Sequence, residues 1–94
     1  MASEARSYIP STAVKEKLDI EIAALEEYCE ELSDAIDDFE HEARRCRDKL
    51  ERVGGLSHDL ARELKRLEEN RNLNRREMEK ARHRIAELKQ TQSG

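Results

Sequence analysis

From Leu18 onward the apolar residues recur at alternating intervals of four and three: Leu18, Ile22, Leu25, Cys29, Leu32, Ile36, Phe39, Ala43, Cys46, Leu50 and Val53. This spacing holds one stripe on one side of an α-helix and defines an unbroken heptad seam. Ile22, Cys29, Ile36, Ala43 and Leu50 stand at a, and the other six at d. Gly54-Gly55, the only glycine pair in the chain, ends the run, and Ser57 follows where a new helix would want its N-cap. A second seam then passes through Leu60, Leu64, Leu67, Arg71, Asn74, Met78, Ala81, Ile85 and Leu88. Upstream, Pro10 blocks helix propagation, and Ser11 or Thr12 offers a capping oxygen. The pattern predicts a flexible lead over 1–10, a helix over 11–53, a Gly-Gly turn at 54–56, a second helix over 57–90 and a frayed tail at 91–94.

The second seam keeps the heptad phase of the first. A single helix of roughly 80 residues, about 120 Å long, in a parallel dimeric coiled coil is therefore a coherent alternative to a hairpin. Three features favour folding back. Two glycines inside an exposed helix would cost roughly 2 kcal/mol relative to alanines, whereas glycine is the preferred left-handed residue at a helix end. Antiparallel pairing with facing residue numbers adding to 110 sets every a against a d, and places Leu67 on Ala43 and Leu64 on Cys46, large against small. Its weak layers set Phe39 against Arg71 and Ile36 against Asn74.

Charge supplies the third argument. A parallel in-register dimer would oppose Glu21 to Glu26, Glu63 to Glu68 and Arg84 to Lys89, against the attractive Glu42 with Arg47 and Glu77 with Arg82. The hairpin offers Asp19 with Lys89, Glu26 with Arg82, Glu40 with Arg75, Arg47 with Glu68 and Lys49 with Glu63, against the repulsive neighbours Glu40 with Glu68 and Glu42 with Glu63. Each exposed pair contributes only about 0.3 to 0.5 kcal/mol, but their sum selects orientation. The expected fold is all-α: an antiparallel two-helix coiled-coil hairpin.

Two helices alone bury little against the entropy of ordering the chain, so further burial is expected. The off-seam apolar residues are one-sided. Val14, Tyr28, Ala35 and Leu56 stand at g, with Ala24 and Leu73 at the adjacent c and Ile20 at the neighbouring f. In an antiparallel pair g faces g, so both helices present these residues on the same side, whereas the e and b edges offer nothing apolar larger than Ala23, Ala61 and Ala86. Val14, Ala24, Tyr28, Ala35, Leu56 and Leu73 therefore form a candidate docking face for a second copy, giving a homodimeric four-helix bundle.

Composition narrows the chemistry. Of 94 residues, 43% are charged, 36% hydrophobic and only 3% aromatic, with no Trp and three Gly, which suits long helices and leaves no material for an aromatic-lined catalytic pocket. The net charge of −4 is unevenly spread. Residues 16–42 hold twelve acids against Lys17 alone, while residues 57–90 hold ten bases against seven acids. Asp37 and His41 have chelating i, i+4 spacing, but no second cluster converges on them, so neither metal nor cofactor is expected. No nucleophile motif, phosphate loop or catalytic carboxylate pair is present, and enzyme activity is not expected.

Cys29 and Cys46, about 25 Å apart on one helix, cannot bridge each other and suit a reducing compartment. With no long apolar run and no signal-peptide core in the first ten residues, an intracellular location, cytoplasmic or nuclear, without membrane contact is expected. The layout resembles antiparallel coiled-coil fingers, including small-GTPase-binding effector hairpins and the tRNA-binding arm of some synthetases, at the level of fold alone. The expected function is structural: self-association, with other proteins as partners, and assembly of a larger protein or complex. The alternative is a nucleic-acid-binding arm using Arg71, Arg75, Arg76, Lys80, Arg82 and Arg84. Interspersed carboxylates and the absence of stacking aromatics count against it.

Overall fold

The computed structural model describes residues 12–93 as two helices, α1 (Thr12–Arg52) and α2 (His58–Ser93), joined by a short turn and packed against each other along their length. The chain is a helical hairpin, and the continuous rod is excluded. The expected lead at 1–10, the capping Ser11 and the terminal Gly94 lie outside the described residues.

The turn follows from its glycines. Gly54 and Gly55 adopt φ of +67° and +75°, a region that costs a side chain-bearing residue roughly 1 kcal/mol or more. The Gly55 amide donates to the Leu50 carbonyl at 2.8 Å and the Gly54 amide to the Glu51 carbonyl at 3.0 Å, the paired bonds that close a helix C-terminus on a left-handed residue. Ser57 then caps α2, its Oγ accepting from the Leu60 amide at 3.2 Å. Leu56 and Ser57 complete the connection, so the turn runs from 53 to 57 rather than 54 to 56.

Val53 departs from its expected seam position and is 47% exposed. Its amide still bonds the Lys49 carbonyl, but it stands beyond the last helical residue where the chain swings away, and the seam pairing would give it only the capping Ser57 as partner. At the other end α2 continues through the stretch expected to fray, with Thr91 Oγ1 and Ser93 Oγ donating to the carbonyls of Glu87 and Lys89 four residues back. Such a bond satisfies the hydroxyl within the helix.

The remaining seam residues face the partner helix. Ile22, Leu32, Ile36, Ala43, Cys46, Leu67, Ala81 and Leu88 are buried, and Leu18, Leu25, Cys29, Phe39, Leu50, Leu60, Leu64, Met78 and Ile85 are half-buried. Arg71 and Asn74 are half-buried too, and no buried side-chain polar atom lacks a partner among the described residues. The tightest packing is at Ala43, Cys46 and Leu67, against which Phe39, Leu60 and Leu64 close. Small residues on α1 admit the leucines of α2, and the Cys46 thiol donates to the Leu60 carbonyl at 3.1 Å.

Candidate docking face

Cross-helix ion pairs fix the register and mark the two edges. On the e edge Glu26 meets Lys89 at 3.7 Å, Arg47 meets Glu68 at 4.0 Å, and Glu40 pairs with Arg75. These residue numbers all add to 115. On the g edge Glu21 meets Arg84 at 3.6 Å, a pair adding to 105. The two values straddle 110, the seam register, because e lies beyond the core layer on both helices and g before it.

Two of the expected pairs, Glu40 with Arg75 and Arg47 with Glu68, form. Three do not. Glu26 takes Lys89 instead of Arg82, Asp19 accepts from the Gln92 amide instead of pairing with Lys89, and Glu63 turns from Lys49 to Arg66 on its own helix at 2.5 Å. The first two expectations placed the partner seven residues, about two helical turns, from the level that the e edges share. For the third, Arg66 is one turn away on the same helix and offers both guanidinium Nε and Nη2 to the carboxylate. That bidentate bond holds the Glu63 carboxyl below the usual carboxylate range. Glu42 is likewise turned to Arg45 at 4.0 Å, so the feared Glu42–Glu63 repulsion is relieved within each helix.

Among the described residues the g and c edge therefore carries a single cross-helix ion pair, and it is where the off-seam apolar residues lie. Tyr28 is 39% exposed, Leu73 52%, Val14 46% and Leu56 85%; Ala24 is exposed, and Ala35 is half-buried in the groove between the helices. Ile20, one position further round, is 69% exposed. The structure brings Tyr28, Ala35 and Leu73 to one stretch of this edge and places Leu56 at the loop.

A signal missed in the sequence is the charge reversal within α1. Among the described residues Glu27, Glu30, Glu31, Asp34, Asp37 and Asp38 have no ion-pair partner, because the bases of α2 reach only Glu21, Glu26 and Glu40 on this helix. About four turns on, Arg44, Lys49 and Arg52 are equally unpaired, as are Asp48 and Glu51 between them. Counting acids against bases in successive windows of α1 would have exposed this.

Most of the bases considered for nucleic acid are engaged at home. Arg75 and Arg84 bridge to α1, Lys80 pairs with Glu77 at 3.4 Å, and Arg71 bonds the Asn72 side chain. Arg76 and Arg82 alone stand without a partner. No group of three or more His, Cys, Asp or Glu side chains among the described residues is placed to hold a metal ion, and no described helix is long and apolar enough to cross a membrane. Compared with known proteins, the chain matches no family model, no curated protein and no solved structure.

Proposed function

We propose that this chain is an interaction module, a helical hairpin that self-associates through its g and c edge and so holds a larger protein or complex together. The observation that carries the reading is the one-sided exposure of Tyr28, Leu56 and Leu73, on an edge where, among the described residues, only the Glu21–Arg84 ion pair links the helices. Large apolar side chains left on one edge of a two-helix unit gain most by burial against another protein surface. The engagement of Arg71, Arg75, Lys80 and Arg84 within the hairpin counts against the nucleic-acid reading.

Sedimentation equilibrium and thermal melting over about a hundredfold range of protein concentration test the proposal. A dimer whose Tm rises with concentration supports it, and a monomer with constant Tm throughout contradicts it. Saturable nucleic-acid binding tighter than about 1 μM at physiological salt, lost when Arg76 and Arg82 become Gln, would put the alternative in its place.

A further inference from the structure

Resting on the self-association proposed above, we infer that the second copy lies antiparallel across the g and c edge, its loop toward the open end of the first. Facing residues of the two α1 helices then have numbers adding to about 82. Along the c row of α1, Glu31 and Asp38 are followed by Arg45 and Arg52, whose successive side chains stand two turns apart and cannot pair within one helix. The centres of the acidic and basic pairs lie about 21 Å apart along a single straight helix. An antiparallel copy brings each against its opposite, twice, through one two-fold axis level with His41.

Two further features fall into the same register. Arg45, Asp48, Lys49 and Arg52 bound a shallow concavity on this edge, and Glu31 and Asp38, at c positions, are the carboxylates that would come over it. Leu56 lies level with residue 54 of α1 by the seam pairing, and so would come level with Tyr28 of the other copy. The most exposed large apolar residue then covers a partly exposed ring at each end of the contact. Leu73 lies level with residue 37, close to the axis. Val14 and Ile20 fall beyond the overlap.

The competing arrangement, with both loops at one end, sets α1 of each copy against α2 of the other. Along the facing c rows it sets Arg45 against Arg66 and Asp38 against Leu73 and keeps only Glu31–Lys80 and Arg52–Asp59, whereas the antiparallel copy matches Asp38 with Arg45 and Glu31 with Arg52 with no like-charge pair in that row.

Zero-length carbodiimide cross-linking of the wild-type protein separates these cases. Glu31 and Lys49 are about 27 Å apart on one helix, so a bond between them can only join two chains. The antiparallel dimer yields peptides linking Glu27, Glu31 or Asp34 to Lys49. A cross-linked dimer without any such peptide overturns the orientation while self-association stands, and a protein that is monomeric throughout removes both. As a second measurement, Glu31→Lys with Asp38→Lys, and separately Arg45→Glu with Arg52→Glu, are each checked for retained helicity. Each double variant alone should associate about tenfold more weakly or worse, and an equimolar mixture should recover wild-type affinity to within about threefold. Failure of the mixture to recover overturns the antiparallel register.

Discussion

The two edges of this hairpin are built from the same heptad repeat and end differently. The e edge is closed by Glu26–Lys89, Glu40–Arg75, Arg47–Glu68 and the Asp19–Gln92 hydrogen bond, and its neighbouring b positions carry nothing apolar beyond alanine. Among the described residues the g edge has the Glu21–Arg84 ion pair alone, turns Glu42 and Glu63 back onto their own helices, and leaves Tyr28, Leu56 and Leu73 exposed. Because both edges flank one seam, the difference cannot arise from the core. It lies in which residue types occupy the flanks, and it separates an edge closed by cross-helix pairs from one that leaves large apolar side chains exposed.

Several substitutions sharpen that contrast. The largest effect is expected where the edges share a foundation. Leu67→Ala empties the space above Ala43 and Cys46 and should lower stability by about 2 to 5 kcal/mol in denaturant titration, whichever edge is probed. Smaller effects are expected at the turn. Gly54→Ala meets no atom within 4 Å, so its cost is conformational alone, about 1 kcal/mol, and Ser57→Ala should cost about the same through the lost cap. A loss at Gly54 nearer that of Leu67→Ala would mean that the turn dictates the interhelical packing rather than merely permitting it.

Below these come the edges themselves. A double-mutant cycle on Glu40 and Arg75, both partly exposed, should give a coupling of about 0.2 to 1 kcal/mol that weakens with added salt. The smallest effect concerns Glu63. Its carboxyl titrates below the ordinary range because Arg66 hydrogen-bonds the ionised form, so the associated stabilisation is present above the unfolded-state value and is lost as pH falls through the depressed folded-state value. An NMR titration should find Glu63 moving back toward the ordinary carboxylate range in Arg66→Gln. An unmoved value would assign the shift to another neighbour.

The seam, the fold-back and the 110 register were legible in the sequence because each follows from spacing: intervals of four and three, a glycine pair at the break, and a pairing that sets Leu67 on Ala43. Glu40–Arg75 and Arg47–Glu68 were legible for the same reason. Glu26–Lys89 required the further rule that antiparallel e edges face each other five positions beyond the seam register, where Lys89 meets Glu26 and Arg82 faces only Ser33. Val53 carries the seam spacing, yet the glycines turn the chain before it meets a partner. Lys49 likewise stands seven residues from the level that the g register gives Glu63, which takes Arg66 within one turn of its own helix. The apolar g and c residues were legible as a face, whereas the unpaired charges of α1 emerged only once the partners of α2 were placed.

The most direct test of the two-edge account is sedimentation equilibrium on a matched pair of double variants. Tyr28→Glu with Leu73→Glu puts charge on the g and c edge without touching the seam, and Ala61→Glu with Ala86→Glu puts the same charge on the e and b edge, where both alanines are exposed. The account predicts that the first variant is a monomer with a concentration-independent Tm while the second remains a dimer like the wild type. Equal behaviour of the two variants, whether both associate or neither does, would contradict it.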